Sequence, residues 1–192
     1  MKLTVVDQSP IQLGSKDKRP APQLSVELAK NCEKWGYSRY WLAEHHNANY
    51  FSGPSPETLI SHIASQTNTI RVGSGGVMLS HYSPYMVAEQ FRLLATLFPD
   101  RIDLGIGRAP GGDQLASHAL SYPGNATHGE VYSRQAFDLK SYLEGGFDDD
   151  HPFKDLIVSP YTDYNPELWM LGTSGGSAEL AGYLGYNLSL GL

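Results

Sequence analysis

The 192-residue sequence is poor in cysteine, in positive charge and in long apolar runs. Its single cysteine, Cys32, excludes a disulfide framework. Its 14 Lys and Arg against 20 Asp and Glu give a net charge of −6, which argues against a protein that binds nucleic acid phosphates. No segment reaches the roughly 18 apolar residues of a membrane span, and the residues after Met1 do not form a signal peptide. We therefore expect a cytoplasmic globular protein without nucleic acid or membrane partners.

Short β-rich runs alternate with helical patterns along the chain. Six runs predict strands: Leu3–Val6, Arg39–Leu42, Ile70–Val72, Ile102–Ile106, Leu168–Leu171 and Tyr186–Leu190. The first four begin 31 to 36 residues apart, which is the spacing of a strand–helix repeat. Helices are predicted over Pro22–Trp35, Glu57–Gln66, Pro84–Leu97, Gly129–Leu143 and Ser177–Leu184. The remaining residues between Ala109 and Glu167 are interpreted as loops of an insertion.

The alternation predicts an α/β protein made of parallel, TIM-barrel-like βα units, with one domain over residues 1–192. A closed (β/α)₈ barrel takes about 250 residues, so we expect a barrel that is incomplete at the C-terminus, after five or six strands. Such an open sheet leaves two strand edges and an apolar inner face exposed, which predicts a homo-oligomer or another chain that covers them. A small doubly wound sheet is the alternative.

Polar residues and glycines collect directly after the predicted strands. The clusters are Asp7–Pro10, Glu44–Asn47, Ser74–Gly76, Gly107–Gly111 and Gly172–Ser177. In barrels and in open parallel sheets, the carboxyl ends of the strands form the edge at which ligands bind. The five clusters therefore predict the rim of an active site.

The most reactive of these clusters is Glu44-His45-His46. Adjacent residues of an extended chain point to opposite sides, so His45 and His46 are poorly placed to bind one metal ion, and we predict no metal site. Two interpretations stay open. The histidines satisfy backbone carbonyls at a strand end, or a neutral imidazole at the mouth of a pocket acts as a base or hydrogen-bond donor near pH 7.

Two further segments favour the binding of an anion. Arg108 follows a predicted strand, but the glycines around it do not match the dinucleotide-binding fingerprint, because residue 110 is proline. A guanidinium suits a phosphate group instead. Thr173–Ser177 opens a predicted helix, whose N-terminus attracts anions. Each segment alone is more often a surface ion pair or a flexible loop, whereas the two together suggest a phosphorylated cofactor.

Five stretches of the sequence share a family resemblance. They are Asp7–Pro10, Trp41–His46, Arg71–Leu79 with Tyr82–Pro84, Asp100–Gly111, and Trp169–Ser174 with Ser177-Ala178. Together they resemble the bacterial luciferase-like flavin monooxygenases, occur in that family's order and cover essentially the whole chain. The resemblance implies a TIM-barrel flavoenzyme that forms a flavin hydroperoxide from reduced FMN and O₂ and oxidises an organic small molecule. A separate NAD(P)H flavin reductase would supply the reduced FMN.

The resemblance also implies roles for individual residues. His45 would be the pocket histidine near the reactive edge of the flavin, with Glu44 and His46 as its supports. Gly75 and Gly76 would lie beneath the isoalloxazine ring, where family members often have a non-proline cis peptide. The phosphate-binding positions would be Arg108, Thr173, Ser174 and Ser177.

Two other functions remain as alternatives to the monooxygenase. An incomplete barrel is also compatible with a truncated, non-catalytic flavin-binding or assembly protein. A related barrel reductase that uses a deazaflavin cofactor is the third reading. Turnover distinguishes the monooxygenase from the non-catalytic flavin-binding protein. The identity of the bound flavin distinguishes the deazaflavin-dependent reductase from the FMN proteins.

Overall fold

A computed structural model describes residues 2–11, 14, 20–124 and 131–190 of the chain. Its strands are β1 (Thr4–Asp7), β2 (Arg39–Leu42), β3 (Arg71–Met78), β4 (Ile102–Gly107), β5 (Glu167–Gly172) and β6 (Asn187–Leu190). Its helices are α1 (Ala21–Lys34), α2 (Pro56–Ala64), α3 (Pro84–Leu97), α4 (Gln114–Ser121), α5 (Tyr132–Glu144) and α6 (Gly175–Leu184). Within these ranges, no helix combines the length and apolarity needed to cross a membrane.

The six strands form one parallel sheet in the order β1-β2-β3-β4-β5-β6. A doubly wound sheet reverses its strand order at a switch point, and this sheet does not, so that alternative is wrong. Sequential parallel strands joined by right-handed crossovers carry their helices on one face and curl into part of a barrel. The predicted α/β, TIM-barrel-like class is confirmed, with six parallel strands in a curled half-barrel.

Two elements differ from the sequence prediction. β3 is eight residues long and continues through Ser74–Gly76, whereas the sequence predicted a strand that ends at Val72. α4 lies in the segment interpreted as a loop, and it begins where the Asp113 carboxylate accepts a hydrogen bond from the backbone N–H of Ala116 at 2.8 Å. The predicted start of α5 at Gly129 lies outside the described residues.

The face of the sheet that packs against the helices forms the apolar core. Alternate strand residues are almost fully buried there: Tyr40, Leu42, Val72, Leu104, Ile106 and Met170. The spacing of apolar residues in α1 and α3 predicts that Leu28, Met86 and Leu97 join this core, and that prediction is wrong, because they are 38%, 43% and 58% exposed. These three residues are rotated away from the centre of the buried stripe of their helices.

The opposite face of the sheet carries a charged layer at the amino ends of the strands. The Arg39 Nε donates to Asp103 Oδ2 at 3.0 Å, and the Arg71 Nε donates to Asp103 Oδ1 at 2.7 Å. Arg39 also donates to Glu167 at 2.8 Å, and the Trp41 indole donates to Asp103 at 2.8 Å. The expected apolar inner face is therefore wrong at this end of the sheet, because paired charges fill it.

Candidate functional site

A cleft of about 530 Å³ opens at the carboxyl ends of β3, β4, β5 and β6. It is lined by all six residues predicted to bind the cofactor: Gly75, Gly76, Arg108, Thr173, Ser174 and Ser177. The side chains of Val6, Met78, Leu171 and Leu190 supply apolar walls. The parallel strand order explains this convergence, since each strand delivers its following loop to the same edge.

The wall of the cleft at β3 consists of backbone. The Gly75–Gly76 peptide bond is cis, as the resemblance implied. A Cβ atom on Gly76 would lie 2.8 Å from the carbonyl oxygen of Gly105, and one on Gly75 would lie 3.1 Å from the Cβ of Trp41. The position of Gly76 therefore requires glycine, and a side chain at Gly75 would press on Trp41. Together the two glycines present a surface without side chains that a planar ring can approach closely.

A smaller pocket of about 150 Å³ adjoins the cleft. The two share Arg108, Leu171, Ser174 and Ser177, and the smaller one is also lined by Ser133. α6 begins at this pocket, so the first N–H groups of the helix have no helical acceptor. Arg108 is exposed, and no carboxylate of the described residues forms an ion pair with it. The pocket thus gathers hydrogen-bond donors and a positive charge that no carboxylate of the described residues neutralises.

Tyr132 adds a buried hydroxyl group to this pocket. The residue is 4% exposed and lines the pocket, and its hydroxyl has no hydrogen-bond partner among the described residues. Burial raises the pKa of Tyr132, and the positive charge of Arg108 acts in the opposite direction. The group is therefore a neutral donor in need of an acceptor. Sequence reasoning missed it, because an aromatic residue at the start of a helix forms no motif with Arg108.

The combined shape and chemistry fit a phosphorylated flavin. The small pocket offers one guanidinium, one helix N-terminus and several hydroxyl groups, which is the donor set that a phosphate monoester requires. The adjoining cleft is larger, is partly apolar and has the glycine surface of β3 along one side. The unpartnered Tyr132 hydroxyl is a specific indication that an acceptor belongs in the small pocket.

Glu44 organises the loop that follows β2. Its carboxylate is fully buried and accepts hydrogen bonds from His46 Nε2 at 2.7 Å and from the Tyr82 hydroxyl at 2.7 Å. It also accepts the backbone N–H of Met78 at 2.9 Å. Glu44 therefore fixes His46 and the end of β3 in place. The structure shows this carboxylate bonded to His46 rather than to His45.

His45 has surroundings different from those of His46. Its ring packs against Phe51 with a centroid distance of 4.5 Å, and its buried Nδ1 atom has no hydrogen-bond partner among the described residues. Burial lowers the pKa of His45, while the charge of Glu44 raises it. His45 is not among the residues that line the cleft. The loop after β2 that carries both histidines, the histidine loop, is linked to the cleft through Glu44, which accepts the backbone N–H of the cleft residue Met78.

The loops after β2 and β4 are tied together across β3. The N–H of His46 donates to the carbonyl of Gly111 at 2.8 Å, and the Asn47 amide donates to the Asp113 carboxylate at 2.9 Å. These bonds join the histidine loop to the loop that carries Arg108. In the part of the chain that the structure describes, no group of three or more His, Cys, Asp or Glu residues is arranged to hold a metal ion.

The half-barrel and its cleft define a class of protein, namely a TIM-barrel-like protein with a cofactor-sized site at the carboxyl ends of its strands. The sequence model of the family described as luciferase-like monooxygenase matches residues 1–192. The chain belongs to the luciferase-like monooxygenase family.

Curated relatives agree with this assignment. The chain is 50% identical to the protein YwcH of Bacillus subtilis (strain 168) over 181 residues, which cover 94% of this chain and 54% of YwcH. It is 42% identical to the N-acetyl-S-alkylcysteine monooxygenase of the same organism over 185 residues, which cover 96% of this chain and 55% of that protein. The chain spans about half the length of the curated relatives it matches.

Solved structures share the fold. The crystal structure of apo-MsnO8 has a TM-score of 0.86 at 42% identity and covers 97% of this chain and 54% of that chain. The oxygenating constituent of 3,6-diketocamphane monooxygenase from Pseudomonas putida, in complex with FMN, has a TM-score of 0.76 at 21% identity, covering 98% and 56%. An F420-dependent secondary alcohol dehydrogenase has a TM-score of 0.75 at 17% identity, covering 97% and 57%. The last two similarities show the fold alone.

Proposed function

We propose that this chain carries the flavin site of an FMN-dependent monooxygenase that uses reduced flavin and O₂ to oxidise a small organic molecule. The observation that carries the proposal is the donor-rich small pocket joined to the glycine-walled cleft. The family supports it, as does the FMN complex of a neighbour in fold. Bound reduced FMN would supply the activation of O₂. A flavin reductase would be the partner that reduces it.

The residues of the small pocket bind and orient the cofactor. Arg108 neutralises the charge of the phosphate, and the N-terminus of α6 donates to it together with Thr173, Ser174 and Ser177. The Tyr132 hydroxyl, in the same pocket, completes the donor set. Gly75 and Gly76 leave room for the ring system against β3. This arrangement holds one end of the cofactor by charge and the other by shape.

His45 is the proposed proton-handling residue. Its lowered pKa keeps the imidazole neutral at pH 7, and its Nδ1 atom, which has no hydrogen-bond partner among the described residues, is available to accept or donate a proton. Glu44 and His46 act on it indirectly by fixing the loop. We place the protein in the cytoplasm and propose that it forms a homo-oligomer.

Two other functions use the same site. A deazaflavin-dependent oxidoreductase is favoured by the fold likeness to the F420-dependent secondary alcohol dehydrogenase. A non-catalytic flavin-binding or assembly protein would keep the phosphate pocket and lack turnover. Absorbance spectra of the bound flavin distinguish the deazaflavin-dependent oxidoreductase from an FMN-dependent protein. Incubation with reduced FMN, ¹⁸O₂ and an N-acetyl-S-alkylcysteine as probe distinguishes a monooxygenase from the non-catalytic protein, since only an oxygenase transfers the label to the probe.

The experiment that tests the FMN site is a fluorescence titration of the full chain with FMN. Replacing Arg108 by Ala should raise the Kd about 30-fold, because a charge-assisted contact to phosphate worth about 2 kcal/mol is lost. Arg134→Ala is the matched control, since Arg134 is 61% exposed on α5 and pairs with Asp138. Equal affinities in the wild type and the Arg108 variant would contradict the proposal.

A further inference from the structure

Met78, the last residue of β3, brings a thioether to the wall of the cleft. The side chain is half-buried and lies against two glycines of the neighbouring loop. A Cβ atom on Gly111 would lie 2.8 Å from Met78 Cγ, and one on Gly107 would lie 3.6 Å from its Sδ atom. The Met78 side chain therefore lies beside the cleft and close to the backbone on both sides of Arg108.

The other described methionines lie in different surroundings. Met170 of β5 is completely buried in the core, on the face of the sheet that packs against the helices. Met86 of α3 is 43% exposed and does not line the cleft. The chain thus offers one methionine in the cleft, one on the surface and one in the core. Reagents from solution and reagents generated in the cleft should reach these three residues in different proportions.

We propose that Met78 is a self-oxidation site of this protein, with hydrogen peroxide formed in the cleft as the oxidant. This inference rests on the proposed function, because reoxidation of reduced FMN by O₂ in the absence of substrate produces that peroxide. The thioether sulfur attacks one peroxide oxygen, so that an S–O bond forms and the O–O bond breaks. The sulfur loses two electrons to give the sulfoxide, and the second peroxide oxygen leaves as water.

The proximity of the cleft to Met78 determines the selectivity. Peroxide formed in the 530 Å³ cleft is most concentrated beside the residues that line it, Met78 among them, whereas it reaches Met86 only after dilution. The product is more polar and larger than methionine. Since the side chain leaves no room for even a Cβ atom on Gly111, the added oxygen displaces the loop of Gly107–Gly111. Arg108 lies in that loop, so oxidation of Met78 weakens FMN binding.

The test uses the full chain with FMN, NADH, a flavin reductase, ¹⁸O₂ and catalase, without an organic substrate. Catalase removes peroxide from bulk water, and peptide mass spectrometry measures ¹⁸O in the sulfoxides of Met78 and Met86. We expect at least fivefold more label at Met78 than at Met86, with a parallel loss of FMN-binding capacity. When unlabelled peroxide is added to the apo protein instead, Met86 should be oxidised at least as fast as Met78.

The variants distinguish the two proposals. Met78→Leu should lose a smaller fraction of its own FMN-binding capacity than the wild type during the incubation, whereas Met86→Leu should behave like the wild type. Equal label at Met78 and Met86, in protein that binds FMN and produces peroxide, overturns the self-oxidation site and leaves the FMN site standing. Absence of FMN binding in the initial titration overturns the proposed function and this inference with it.

Discussion

Three consecutive residues, Glu44, His45 and His46, have three different surroundings. Glu44 is a buried acceptor for three donors, and His46 is one of those donors. His45 turns to the other side, where its ring packs on Phe51. The alternation of side chains in an extended strand predicts this separation of the two histidines. It does not predict which of the two histidines forms a hydrogen bond with the Glu44 carboxylate, because that depends on the position of β3.

The protonation of His45 is open to direct measurement. Because burial lowers its pKa, an NMR titration of the ring nitrogens should give a midpoint below pH 6.5, with His45→Ala used to assign the resonance. Glu44→Gln should lower the midpoint further, since it removes the charge that raises it. Tyr82→Phe is the control, because it removes a hydrogen bond to Glu44 and keeps the carboxylate. A midpoint above pH 6.5 in the wild type would contradict the burial argument.

Individual site residues were predictable to different extents. Arg108 and Ser174 follow strands directly, and the rule that ligands bind at the carboxyl ends of parallel strands identifies them in sequence. Tyr132 and Met78 carry no such signal. Tyr132 reaches the pocket from a helix 24 residues beyond Arg108, and Met78 ends a strand whose length the glycines of β3 concealed. Their positions follow from tertiary packing.

At the scale of elements, one carboxylate connects α1 to the turn before β3. Glu33 Oε1 accepts the backbone N–H groups of Asn68, Thr69 and Ile70 at 2.7 to 3.0 Å. Burial alone would raise the pKa of Glu33, but these hydrogen bonds and one from the Thr69 hydroxyl lower it to about 2. The ionised form is therefore bound more strongly in the folded state than in the unfolded state.

This pairing predicts a pH dependence of stability. The contribution of the Glu33 charge is present above its unfolded pKa of about 4.3 and is lost as the pH falls toward 2. Relative to Glu33→Gln, the wild type should lose about 1 kcal/mol of unfolding free energy over this range, after allowance for solvent screening. Urea unfolding of both proteins at several pH values measures the difference. Glu179→Gln, at an exposed position of α6, should follow the wild type, and parallel curves for Glu33→Gln would contradict the prediction.

Periodicity predicted the helices and strands where one face is apolar. Ile60 and Ile63 of α2 and Phe91 of α3 are buried as their spacing indicates. α4 was missed because none of its residues is buried, so it has no apolar stripe to signal it, and only the Asp113 cap marks its start. The predicted strand ended at Val72 because glycine is rare inside strands, although here the close approach of neighbouring backbone requires Gly73 and Gly76 in β3.

At the scale of the whole molecule, the charged layer joins strands that are far apart in sequence. Asp103 is completely buried and neutralises Arg39 and Arg71, so that β2, β3 and β4 share one carboxylate. Glu167 of β5 pairs with the same two arginines from a position that is 35% exposed. Sequence could not reveal this network, because its members alternate with apolar residues on strands that were read as core.

The two carboxylates should therefore contribute unequally to stability. Asp103→Ala should lower the free energy of unfolding by about 3 kcal/mol, because it leaves two guanidinium groups facing each other without their buried partner. Glu167→Ala, the matched control, should cost about 1 kcal/mol or less, since water screens the exposed pair. Urea unfolding followed by circular dichroism measures both changes. Losses of equal size would show that burial does not set the strength of these pairs.

The family and the fold class were both recognisable from the whole set of motifs, whereas no single motif was sufficient. The βα spacing indicated parallel units, and the sequential strand order decided between the barrel and the doubly wound sheet. That order is a property of three-dimensional pairing, which spacing alone does not determine. The paired charges on the inner face are likewise outside the reach of a pattern of apolar residues.

The sequential strand order also bears on how the chain acquires its structure during synthesis. Each strand pairs only with the strands before and after it, and partners such as Arg39 and Arg71 or Val72 and Ile102 lie about 30 residues apart. A chain that leaves the ribosome from its amino end can therefore add each βα unit to an edge that is already in place. Within the described sheet, no strand is inserted between two that are already paired, so the order of translation can also be the order of folding.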